Sequence, residues 1–131
     1  MKAITKEWLD FAETDLAACE KLLHDEHLTN IVLYHAQQVI EKCFKAILEE
    51  NDLKVPRIHN LVHLYNRINN ISIFKVDESM LDRLDQIYTE SRYPGDLGML
   101  PDGKPGADET RTYYELASEI FNQTSEFLSH T

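Results

Sequence analysis

Between Met1 and Tyr93 the chain has no glycine, and its one proline there is Pro56. Nothing in that length interrupts a helix except polar turns and that single breaker. All four glycines and the other three prolines are collected in ESRYPGDLGMLPDGKPG, Glu90 to Gly106. Cysteine is almost as scarce: Cys19 and Cys43 each lie in an apolar helical pattern, without the close-spaced Cys or His partners of a zinc site. Reduced core thiols are therefore expected, with no bound metal or cofactor. Basic charge is in the minority, 13 Lys and Arg against 23 Asp and Glu for a net charge of −10. That balance excludes a broad nucleic-acid surface but leaves room for a confined electropositive pocket. No run approaches the roughly 18 apolar residues of a membrane span, and MKAITKEWLDFAE lacks an apolar signal core, so no membrane association and a cytoplasmic location are expected. No glycine-rich phosphate loop precedes a helix, and no GxSxG nucleophile elbow is present.

What is present is helical periodicity. At 131 residues, 43% of them hydrophobic and 27% charged, the chain fits a single domain over 1–131 with a core of its own. Trp8, Phe11, Ala12, Leu16, Cys19, Leu22 and Leu23 recur at three- and four-residue steps, predicting a first helix over 5–24 with Thr5 as its cap. After a polar turn at Asp25 to His27, Leu33, Ala36, Ile40, Cys43, Phe44 and Ile47 mark one face of a second helix running to Glu50. Pro56 separates it from a short third helix carrying Leu61, Leu64, Tyr65 and Ile68. NNISIFKVDES reads as a loop, then Asp77 or Ser79 caps a fourth helix with Met80, Leu81, Leu84, Ile87 and Tyr88, ending near Tyr93. Asp108 is the expected cap of the last helix, on which Tyr113, Leu116, Ala117, Ile120, Phe121, Thr124, Phe127 and Leu128 repeat. The fold class that follows is all-α: an up-and-down four-helix bundle with an additional short helix.

Several groups can carry chemistry. On the second helix Tyr34, Gln38, Glu41 and Lys45 form a stripe roughly 130° from the apolar centre. The plainer reading of that stripe is a solvated face with a Glu41–Lys45 pair worth about 0.3–0.5 kcal/mol. His59 and His63 are four residues apart, but HNLVH puts no acidic residue between them, and capping or packing at the start of the third helix suits His59 better than a metal. In RIHNLVH, Arg57 and His63 have the spacing of a basic residue and a proton-transfer group.

Trp8, Ala12, Asp15 and Leu16, then YHAQQVIEKCFKAILEE from Tyr34 to Glu50, HNL at 59–61 and YTESRYPGD from Tyr88 to Asp96 resemble, in order and spacing, the HEPN domain family. The resemblance covers nearly the whole chain. It implies a helical bundle of the type that serves as the substrate-binding subunit of nucleotidyltransferases, paired as a homodimer. It also implies a separate minimal nucleotidyltransferase as partner, often in a toxin–antitoxin system, and a nucleotide as ligand. Many HEPN relatives are metal-independent ribonucleases with a late Arg, four to six intervening residues and then a His. The matching Arg here is Arg92, and Leu97, Gly98 and Met99 stand where the His belongs. Three readings follow. In the first, a binding module uses Tyr34, Gln38, Glu41, Lys45, His59, Arg92 and Tyr93 around a cleft. In the second, a ribonuclease uses Arg57 or Arg92 to stabilise phosphate charge and His63 to transfer the proton. In the third, a dimeric scaffold uses its polar residues only to order helices, with Arg92 set against carbonyl dipoles at a helix end for about 0.3–1 kcal/mol.

Overall fold

Five α-helices and one turn of 3-10 helix account for the secondary structure of the computed structural model, which describes residues 1–71, 74–90 and 104–130. They are α1 (Ala3–Leu22), the 3-10 turn (Glu26–Leu28), α2 (Thr29–Glu50), α3 (Leu61–Ile68), α4 (Glu78–Glu90) and α5 (Ala107–Ser129). No strand occurs among the described residues, so Phe74 to Asp77 is loop as its composition predicts; Ser72 and Ile73 lie outside them. The end of the fourth helix near Tyr93 and most of the Gly/Pro-rich passage, residues 91–103, also lie outside the described residues. No helix is long and apolar enough to cross a membrane, again among the described residues.

The organising element is α2, which packs against α1, α5, α3 and α4. Its predicted apolar face is all core: Leu33, Ala36, Ile40, Cys43, Phe44 and Ile47 are fully buried. Val32, Val39, Ala46 and Leu48 are buried as well, so the helix is enclosed on more than one side, as expected of a helix apolar over most of its circumference. Phe44 stacks on Phe74 and lies 5.8 Å from Tyr65, which ties α2 to α3 and to the loop after it. Both cysteines are core thiols: burial pushes each up to about 12, and Cys19 donates to the Val32 carbonyl.

Helix ends differ from expectation in instructive ways. Thr5 is not a cap. The first helix begins at Ala3 with Lys2 in the cap position, and the Thr5 hydroxyl donates to Glu50 across the bundle, at 2.9 Å. The same carboxylate accepts from the Lys2 amide, so the start of α1 is fastened to the end of α2. At that end Leu53 N–H reaches the Leu48 carbonyl and Asp52 N–H the Glu49 carbonyl, with Asp52 at φ 57°, a Schellman closure built without glycine. Asp108 does not cap α5 either: Gly106 holds the cap position, and Asp108 sits in the first turn with Glu109, where carboxylates complement the helix dipole. Asp77 does cap α4, accepting from the Ser79 amide and hydroxyl.

One predicted core residue is misplaced. Phe11 is 63% exposed, and Leu9 fills the core in its place. Leu16, Ala12 and Cys19 are buried as the periodicity predicts. Asp15 on α1 ties to α2 through His35 Nδ1 at 2.9 Å and through the Lys42 ammonium. Arg83 of α4 forks onto both carboxylate oxygens of Glu109 on α5.

Because Phe44 joins α2, α3 and the following loop with no exposed surface, Phe44→Ala is expected to lower the free energy of unfolding by about 3–5 kcal/mol, read as a shifted urea midpoint.

Candidate functional site

The α2 stripe that helical geometry puts away from the core is only partly solvated. Glu41 and Lys45 are 4% and 5% exposed, and Tyr34 and Gln38 are half-buried. The surface assigned to water is met by Trp8 of α1, by His59 in the connection into α3 and by Tyr88 of α4. The Glu41–Lys45 pair, 3.0 Å apart, is therefore a buried ion pair rather than a weak surface one.

Glu41 is the hub of a polar cluster assembled from three parts of the fold. Lys45 Nζ donates to Oε2, and the ring of Trp8 lies 5.7 Å below that ammonium. His59, in the connection between α2 and α3, has Nδ1 3.0 Å from Glu41 Oε1. An ionised carboxylate accepts only, so Nδ1 is the nitrogen that donates to it. Gln38 Nε2 donates to Gln37 Oε1 and to Glu41 Oε1. Gln37, fully buried, turns its own amide nitrogen towards the His59 carbonyl at 2.7 Å, Asp85 Oδ1 at 3.2 Å and Glu41 Oε1 at 3.4 Å.

Asp85 of α4 completes the cluster, and no motif or spacing in the sequence marks it. Its Oδ2 accepts from the Leu61 amide at 2.7 Å, so it satisfies the first N–H of α3 from another helix. Asn60, the true N-cap of α3, accepts from the His63 amide. His59 is therefore not the cap; it faces Glu41. Burial raises the Asp85 carboxyl to about 6 against two opposing hydrogen bonds, and the negative charges of Asp82 and Glu41 push the same way as burial.

Aromatic rings border the polar hub. Tyr34 stacks on Tyr88 with centroids 5.0 Å apart, and His59 tilts against Tyr88 at 5.8 Å. The His59 side chain remains 57% exposed. The structure thus brings together Tyr34, Gln38, Glu41, Lys45 and His59 from the sequence reading, and adds Gln37, Asp85 and Tyr88. Arg92 and Tyr93 lie outside the described residues. Arg57 and His63 are both exposed, with no hydrogen bond or ion pair between them among the described residues. No group of three potential metal ligands occurs among those residues.

With the bundle and this cluster in view, comparison with known proteins is informative. The HEPN domain family model matches residues 5–128. The chain belongs to the HEPN domain family. Among solved structures, an archaeal HEPN homologue superposes with a TM-score of 0.66 at 23% identity, covering 96% of this chain and 98% of its own. TT1696 from Thermus thermophilus superposes with a TM-score of 0.70 at 19% identity, covering 96% and 99%. At these identities the likeness establishes the HEPN fold alone. No curated protein matches the chain.

Removing one member of a buried ion pair leaves the other uncompensated. Glu41→Ala is therefore expected to cost about 3–5 kcal/mol in chemical denaturation, several times the value of an exposed helix pair. The Asp85 carboxyl gives a second test. An unfolded Asp titrates near 4 and the folded one at about 6, so between those values the folded state binds more protons. The contribution of Asp85 to stability is full below about pH 4 and is lost as pH rises through about 6. Urea denaturation from pH 4 to 7 is expected to show wild type losing stability relative to Asp85→Asn across that window.

Proposed function

We propose that this HEPN chain is a nucleotide-binding subunit, paired with a second copy of itself, that partners a separate minimal nucleotidyltransferase of the toxin–antitoxin kind. The observation that carries this reading is the composite edge formed by His59, Gln38 and Tyr34. An exposed imidazole, an amide and a half-buried ring stand together, each held from beneath by the buried Glu41 hub or by Tyr88. A ring suits a base face, while an amide and an oriented imidazole suit the donors and acceptors of a base edge or ribose. Holding such groups in place before the ligand arrives lowers the ordering cost of binding.

The charge at this edge says which end of a nucleotide it reads. Lys45 is the ammonium of the hub, and it is buried against Glu41. The described groups therefore suit the nucleoside end. Arg92, which matches the late family Arg, has a guanidinium suited to phosphate oxygens. The ribonuclease reading draws less support: Arg57 and His63 are exposed and no described contact positions either side chain.

Calorimetric titration with nucleoside mono- and triphosphates tests the reading. Binding is expected to wild type and to weaken about tenfold or more, about 1.4 kcal/mol, in His59→Ala and in Tyr34→Ala. Absence of heat with every nucleotide, together with no complex with a nucleotidyltransferase encoded beside it, returns the protein to a scaffold role. RNA cleavage abolished by both Arg57→Ala and His63→Ala would establish the ribonuclease instead.

A further inference from the structure

Three acceptors converge on one amide in the floor of this site. Gln37 Nε2 has two protons, yet the His59 carbonyl, Asp85 Oδ1 and Glu41 Oε1 all lie within 3.4 Å of it. Two carboxyl groups thus share a donor that cannot fully serve both, while Lys45 and His59 are committed to Glu41 alone. The groups facing Asp85 are Gln37 and Glu41 from α2, the Leu61 amide from α3 and Asp82 from its own helix. None of them is a cation. A site so arranged favours one proton on the pair, and Asp85 is the member without an ammonium partner.

Asp85 is also the group that fastens the segment bearing His59. Its second oxygen holds the Leu61 amide, two residues after His59, and its first reaches Gln37, whose nitrogen holds the His59 carbonyl. Both ends of the His59–Leu61 segment are therefore referred to one carboxyl. An ionised carboxylate grips an N–H more strongly than a neutral one, so gain or loss of that proton changes the hold on the segment.

We infer that Asp85 is a proton-responsive positioning residue: its ionisation sets how firmly His59 and the start of α3 are held, and so tunes ligand binding at the His59–Gln38–Tyr34 edge. This rests on the reading of that edge as a binding site. The burial that raises the Asp85 carboxyl to about 6 places the response near neutral pH.

The test separates the switch from the site. In ¹⁵N-labelled protein, the Leu61 amide resonance is expected to titrate with a midpoint near 6, as Asp85 does. That step is expected to persist in His59→Gln, which removes the one imidazole of the cluster, and to vanish in Asp85→Asn. A ¹³C titration of the Asp85 carboxyl in wild type checks the midpoint without any substitution. Affinity for a nucleoside, which carries no phosphate to titrate, is expected to change several-fold between pH 5 and 7.5 in wild type and by clearly less in Asp85→Asn. A Leu61 step lost in His59→Gln, or an Asp85 carboxyl titrating as an ordinary Asp, overturns the inference even if nucleotides bind. A Leu61 step that follows Asp85 with no nucleotide bound at any pH upholds the coupling and removes the binding site.

Discussion

Glu41 sits in a helix that other helices surround, and a carboxylate there has to find its counter-charge and its hydrogen-bond donors inside the protein. One turn along α2, Lys45 supplies the charge. The remaining lone pairs are answered by the amides of Gln37 and Gln38 and by His59. The last of these has a topological consequence: the chain leaving α2 must pass back over the face bearing Glu41. That return sets where α3 begins, and the buried first amide of α3 in turn requires an acceptor, which α4 supplies in Asp85. The start of α3 and its tie to α4 are thus part of the same network that satisfies one buried acid.

The same arrangement separates groups that hold from groups that meet solvent. Glu41, Lys45, Gln37 and Asp85 are buried and act on one another; His59, Gln38 and Tyr34 form the accessible edge above them. Such layering gives a site precision, since each outer group is oriented by an inner one whose own position is fixed by packing. The HEPN comparisons fix the scaffold, but at 19–23% identity they carry no residue roles, so the chemistry of this chain has to be read from its own cluster.

Periodicity revealed the helices well, because the faces of α2 and α5 are repeated many times and single errors cancel. It did poorly where one residue decides. Thr5 and Asp108 both look like caps in the sequence, yet each lies inside the helix, since Lys2 and Gly106 already have the extended backbone a cap needs. Phe11 belongs to the apolar series of α1 by spacing, but α2 covers only part of that face and leaves the ring outside. For the site, Tyr34, Gln38, Glu41 and Lys45 were visible as a stripe, and His59 as a member of HNL. Asp85 was not, because nothing local distinguishes it from Asp82, which is three residues, nearly one turn, away on the same helix.

The amino-acid sequence by itself determined that the chain is helical, where α1, α2 and the start of α4 lie to within a turn, and which faces of α2 and α5 are core. Those properties depend on the spacing of apolar side chains and on breakers such as Pro56, which act over a few residues. Only the tertiary structure decided that the polar face of α2 is buried, that Glu41 and Lys45 are a core pair, and that Asp85 and His59 belong to the same cluster. Burial depends on what the rest of the chain places on top. Here the cover comes from a connection and a helix up to 48 residues away, between Gln37 and Asp85, a distance across which no local pattern carries information.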